Sequence, residues 1–199
     1  MQVPHARACG RGLRAAGPRP YFFAIDPRYT IALARPRDIP QLAAIEIAAA
    51  ALLEGHAPAS VLAETTDETD LQHAQGDGRL WVALDGDEPV GFALVEMLAP
   101  DVPHLEEVGV HPRHGRRGIG AALVRAACDW AAQSGHATLT LTTFRAPPFN
   151  MPFYAKLGFE EVPADAVVEE IADVVRDEAR RGLSIERRVV MVYRTGVAP

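Results

Sequence analysis

The stretch HPRHGRRGIGAAL, residues 111–123, constrains this chain more than any other. Before it, Leu105–Val110 reads as a strand; after it, Ile119, Leu123, Ala126, Ala127 and Trp130 share one stripe of a helix spanning 118–134. A glycine-punctuated turn at that junction leaves the first helical amides without backbone partners, at the positive end of the helix dipole. With Arg116 and Arg117 alongside, such a turn suits a pyrophosphate. Two familiar phosphate turns are excluded by the residues themselves. A P-loop needs Lys and Ser or Thr after its last glycine, and Gly120 is followed by Ala121 and Ala122. A dinucleotide fingerprint needs a third glycine where Leu123 stands, and an acid near the end of the next strand, where Thr140, Thr142 and Thr143 stand.

With 199 residues, 48% of them hydrophobic, the chain has material for one sizeable core. A net charge of −6 with no basic block in the body of the chain argues against a nucleic-acid partner. The longest apolar run, Ile45–Leu53, is far short of the roughly 20 residues that span a bilayer, so no membrane partner is expected. Cys9 and Cys128 form neither a metal motif nor a disulfide framework, and a reducing, cytoplasmic setting fits them. Residues 1–28 contain Arg7, Arg11, Arg14 and Arg19 without an apolar face or core. They read as a loosely ordered N-terminal extension, and 29–199 as a single domain.

The remaining elements follow from periodicity. Tyr29–Ala34 reads as a strand, Asp38 as the cap of a helix that ends at Gly55, 56–66 as loop, and 67–75 as a short helix. Arg79–Leu84 and Pro89–Leu98 form a hairpin across Asp85-Gly86-Asp87-Glu88. Thr138–Thr142 is a strand, 150–157 a helix ended by Gly158, 159–162 extended, 167–181 an acidic amphipathic helix, and Arg187–Tyr193 the last strand. The order β α α β β β α β α β α β implies a mixed α/β (α+β) sheet with helices on its faces.

Two motifs together resemble the GNAT superfamily of acyl-CoA N-acyltransferases. The first is Val110-His111-Pro112 followed by Gly115-Arg116-Arg117-Gly118-Ile119-Gly120; the second, about 30 residues on, is Asn150 with Phe153-Tyr154 and Gly158-Phe159. Gly115 departs from the Gln or Arg that the superfamily uses at its place, which leaves the backbone to do the binding. The resemblance implies a mostly antiparallel sheet, splayed at the coenzyme site, and acetyl-CoA as cosubstrate with no metal. A primary amine, small or at a peptide terminus, is the acceptor. It leaves room for a homodimer, and for a binding-only regulatory domain as the alternative.

The resemblance also assigns site residues. Coenzyme contacts fall on Val108, Val110, Arg113, Gly115, Arg116, Arg117, Gly118, Ile119, Gly120, Ala121 and Asn150. Tyr154 matches the tyrosine that donates a proton to the leaving thiolate, and a phenol with its ordinary pKa of about 10 keeps that proton at pH 7. The alternative for Tyr154 is core packing with Phe153 and Phe159. Leu105-Glu106-Glu107 resembles the Leu-Glu-Asp of the diamine branch, in which the Glu accepts an amine proton through water. In a regular strand Glu106 shares a face with Val108 and Val110, and Glu107 shares one with Gly109, so only one acid faces the acceptor, with Glu106 the expected base. Gly109 marks a bulge or a close approach. His111 and His56 are weaker candidates for the base, and the acids of 167–181 read as a solvated face.

Overall fold

The computed structural model describes residues 25–197; Cys9 and the four N-terminal arginines lie outside the described residues. Residues 25–28, expected to belong to the extension, are tied to the domain. Ile25 packs on the core, the Asp26 amide donates to the Arg117 carbonyl at 3.1 Å, and Arg28 pairs with Asp85.

Among the described residues, seven strands form one sheet: β1 (Tyr29–Leu33), β2 (Leu80–Asp85), β3 (Glu88–Ala99), β4 (Val102–Val110), β5 (Thr138–Phe144), β6 (Glu160–Glu161) and β7 (Arg188–Arg194), in the spatial order β1-β2-β3-β4-β5-β7-β6. Every pairing is antiparallel except β4 with β5. The helices are α1 (Leu42–Ala50), α2 (Ala59–Leu62), α3 (Glu68–Gly76), α4 (Ile119–Gln133), α5 (Met151–Lys156) and α6 (Glu169–Arg180). The expected order holds, with α2 added inside the stretch read as loop; its four residues are too few for a periodic signal.

Strand β2 shows why the sheet has helices on both faces. Leu80, Val82 and Leu84 join the core beneath α1 and α3, while the alternating Trp81 and Ala83 join the core beneath α4. Asp38 does not cap α1 as expected. A short 3-10 turn intervenes, and the Asp38 carboxylate instead accepts from the Arg35 amide and guanidinium at 2.8–2.9 Å. β4 begins three residues earlier than expected, because Pro103 is accommodated beside an irregularity in its pairing with β3.

Two features of β4 shape the site. In its pairing with β3, the neighbours Leu94 and Val95 face Glu107 and Leu105, so Glu106 is the extra residue of a β-bulge. On the other side, β4 pairs with β5 only at His104 opposite Thr140, and the two strands part beyond that point. Gly109 is not the bulge. A side chain there would meet the fully buried Phe92 ring at 3.1 Å, so the glycine makes room for that ring.

Candidate active site

The parting of β4 from β5 opens a cleft of about 1170 Å³ that runs from the start of α4 to α1, α3 and α6. Its two ends are built from different chemistry.

At one end the backbone dominates. Arg116 has φ +61° and Gly118 φ +81°, left-handed conformations that turn the chain sharply into α4; a residue other than glycine costs roughly 1 kcal/mol at each. Among the described residues, no amide from Arg116 to Ala121 donates to a backbone carbonyl, and the ladder starts with the Ala122 amide on the Gly118 carbonyl at 3.0 Å. Six potential donors therefore surround one turn at a helix start, which is what a pyrophosphate requires. Gly115, Arg116, Gly118, Ile119, Gly120 and Ala121 all line the cleft, as do Val108 and Val110 on the parted edge of β4. Arg113 and Arg117 do not. The Arg117 guanidinium bonds the Tyr29 hydroxyl and lies over its ring, and Arg113 points away, exposed. Neighbouring residues on a tight turn project divergently, so adjacent arginines need not share a target.

Asn150, just before α5, also lines the cleft. Its side-chain amide donates to Thr143 Oγ1 at 2.9 Å, and its Oδ1 is buried with no partner in the protein. A buried acceptor of this kind is costly unless a ligand donor reaches it. The orphan amides, the free strand edge and this oxygen together fit a coenzyme A-like chain.

The other end is lined by carboxylates from five elements, among them Glu46 of α1, Asp70 of α3, Glu96 of β3, Glu106 and Glu107 of β4, and Glu178 of α6. Because of the bulge, the regular alternation of β4 fails. Val108 and Val110 stay with Leu105 on the α4 side, and both acids border the same cleft. The expectation that only one of them faces it is thus corrected. Glu106 keeps 37% of its side-chain surface open, yet is walled in enough that burial, then Glu96 and Glu178, push its carboxyl up to about 7 against the pull of Arg181 and Arg188. Glu107, more enclosed, is pushed up to about 8 by burial and then by the charges of Glu46 and Glu106. Glu46 is raised by burial, partly offset by hydrogen bonds from the Thr66 amide and hydroxyl.

Tyr154 lies between the two ends. Its ring packs against Phe153 and Phe159, with centroids 5.1 and 5.7 Å away, and it also lines the cleft, so core packing and access to the cleft coexist. Burial, then the charge of Glu107, raises its pKa above the ordinary tyrosine value. His111 serves the turn, accepting from the Arg113 amide at 3.3 Å, and His56 lies off the cleft beside Phe144, 6.5 Å between ring centres.

Three residues that sequence reasoning passed over shape the acidic end. Glu178, expected on a solvated face, is 8% exposed and forms an ion pair with Arg188, while Thr142 donates to it at 2.5 Å. Arg188 in turn stacks over Phe144, 4.6 Å from the ring centre. His104 is 1% exposed, directly before Leu105 and Glu106. Only a high helical amphipathicity with Glu178 on the Ile171 side hinted at the first of these. Beside them, Arg181 pairs with Glu64, tying the loop after α2 to the end of α6. Cys128 is buried in α4 with its thiol pushed up to about 12 by burial, which leaves it unreactive.

The same architecture occurs in solved structures. The PaiA N-acetyltransferase of Thermoplasma acidophilum, in complex with coenzyme A, superposes with a TM-score of 0.65 at 16% identity, over 83% of this chain and 98% of that one. The N-acetylglutamate synthase of Neisseria gonorrhoeae, with coenzyme A and N-acetyl-glutamate, gives 0.63 at 19% identity, over 86% of this chain and 35% of that one. These likenesses concern the fold. In sequence, the streptothricin acetyltransferase of Streptomyces lavendulae is 33% identical over 96 residues, 46% of this chain; the chain thus spans about half the length of the curated relative it matches. The model of the Acetyltransferase (GNAT) family matches residues 48–159, a stretch that contains the parted strands, the glycine turn and Tyr154, and the chain belongs to that family.

Proposed function

We propose that the protein transfers an acetyl group from acetyl-CoA to a primary amine, with both bound at once and no covalent enzyme intermediate. The observation that carries this reading is a single cleft joining the unpartnered amides of Arg116–Ala121 to the carboxylates of Glu106 and Glu107 past the Tyr154 hydroxyl. The thioester supplies an activated acetyl group; the chain supplies geometry and proton handling. The turn and the Arg116 side chain hold the pyrophosphate, while the edge of β4 at Val108 and Val110, with Asn150 Oδ1, orients the pantetheine arm. The Val108 amide, which reaches the Glu107 carboxyl on the parted edge, turns instead to the thioester oxygen, where negative charge develops.

An amine with a lysine-like pKa arrives as the ammonium and must lose a proton before it attacks. The carboxylates of the acceptor end favour the cation, and Glu106, the more open of the β4 pair, takes the proton. Tyr154, whose pKa is raised by burial, stays a protonated phenol at pH 7 and is the donor that meets the sulfur as it leaves. Glu107, with its carboxyl pushed up to about 8, is mostly the neutral acid at pH 7 and leaves the proton transfer to Glu106. A buried free thiol at Cys128 accords with a reducing, cytoplasmic setting.

The acidic wall favours small cationic acceptors, and the streptothricin acetyltransferase relationship adds streptothricin to the candidates. The deciding experiment incubates acetyl-CoA with polyamines, diamino acids, streptothricin and N-terminal peptides, and measures thiol release. Turnover is expected with the cationic small amines. No release with any acceptor, despite tight coenzyme binding, would leave a binding-only domain.

A further inference from the structure

His104 is a buried, polar side chain at the single point where β4 and β5 still pair. Its Nδ1 lies 3.0 Å from Thr140 Oγ1, and the Thr140 hydroxyl donates its one proton to the Pro103 carbonyl at 3.0 Å. Thr140 Oγ1 can therefore only accept from His104, which places the imidazole proton on Nδ1. The ring is neutral at physiological pH, since burial holds its pKa down to about 4. In that tautomer Nε2 carries a lone pair, and it lies 3.9 Å from Glu106 Oε2, about 1 Å beyond a hydrogen bond.

A lone pair facing a carboxylate is repelled by it, whereas a carboxylic acid can donate to it. We propose that His104 is the positioning residue for Glu106, its Nε2 accepting a hydrogen bond from the carboxyl once Glu106 has taken the proton of the acceptor ammonium. The inference rests on the reading above that Glu106 is the base. The step balances: an N–H bond of the ammonium breaks and its electron pair stays on nitrogen. An O–H bond forms on Glu106, and that proton rests against Nε2 until it leaves to water through the open side of Glu106. The Nδ1 side leads nowhere, because Thr140 is already committed to a carbonyl. His104 and Glu106 stand two residues apart on β4 and share a face by regular alternation, and the bulge then turns Glu107 toward the same cleft.

The charged groups that also face Glu106 are Glu96 from β3, Glu107 beside it, Glu178 and Arg181 from α6 and its end, and Arg188 from β7. His104 adds to the acids in favouring the protonated form, so removing its lone pair makes Glu106 a weaker base. In His104→Phe, the acid limb of kcat against pH is expected to move down by about one unit, with kcat about tenfold lower and the KM for acetyl-CoA unchanged. Thr140→Val frees the tautomer, lets Nε2–H donate to the carboxylate, and shifts the limb in the same direction.

Nitrogen-15 NMR of the histidine rings of the wild-type protein provides a readout independent of turnover. It should show His104 as the Nδ1–H tautomer, with an Nε2 shift that follows a titration near pH 7 while the ring itself stays neutral. An Nε2–H tautomer overturns the proposal, and so does an unmoved limb in folded His104→Phe. If His104→Phe does not fold, the wild-type spectrum and Thr140→Val decide. Glu106→Gln separates the two levels: a wild-type limb in that variant removes Glu106 as base and the inference with it, whereas loss of the limb there, with no change in His104→Phe, removes His104 alone.

Discussion

The two ends of the cleft solve opposite electrostatic problems with different parts of the chain. The turn from Arg116 to Ala121 is contiguous, and it offers backbone amides whose direction is set by two left-handed residues. The acidic end collects carboxylates from α1, α3, β3, β4 and α6, so that each depends on packing between elements distant in sequence. A site made of backbone is insensitive to most side-chain changes but intolerant of bulk. A site made of side chains can be retuned one residue at a time, at the cost of holding like charges together.

The largest effect should come from adding bulk to the backbone end. A Cβ at Gly120 already sits 3.6 Å from the Phe153 ring, so the branches of valine must extend over the turn. Gly120→Val is expected to abolish coenzyme binding in a protein that still folds, as read by calorimetric titration with CoA. Unchanged affinity would remove this turn from the site.

Tyr154→Phe comes next. It keeps the ring stack with Phe153 and Phe159 and deletes only the hydroxyl. Acetyl-CoA affinity should persist while kcat falls ~10²-fold, and wild-type turnover would reduce Tyr154 to a packing residue.

At the acidic end, crowding of carboxylates has a signature in stability. Glu107 has its folded-state pKa raised to about 8, so its contribution is fully present below its unfolded value near 4.5 and is lost as the pH rises through about 8. Glu107→Gln should therefore raise the melting temperature by a few degrees at pH 9 and change it little at pH 5. An equal shift at both values would mean that Glu107 is not neutral in the folded protein. The smallest effect is expected for Glu96→Gln, which removes one charge from the wall without a hydrogen-bonding role. The KM for a cationic acceptor should rise a few-fold and that for acetyl-CoA should stay constant; equal changes in both would erase the distinction between the two ends.

The glycine turn at the start of α4 was legible because it is a local pattern. Glycines, a strand end and a helix stripe within about 20 residues specify their own geometry, and steric limits on φ leave little choice at Gly118. The same holds for the Gly86 hairpin and for α4. Alternation in β4, read from Leu105 onward, misled where one added residue broke the period of two at Glu106.

What the sequence determined by itself was therefore the order of elements, the turn at the start of α4 and the aromatic helix around Tyr154, since each is encoded by neighbours along the chain. Tertiary structure alone decided that Glu106 and Glu107 share a cleft and that Arg117 turns away to Tyr29. It also decided that Glu178 is buried against Arg188 and that His104 stands behind Glu106. Those outcomes depend on which strands pair and where they part. Strand pairing is fixed by burial summed over the whole sheet, and no short stretch of sequence carries that sum.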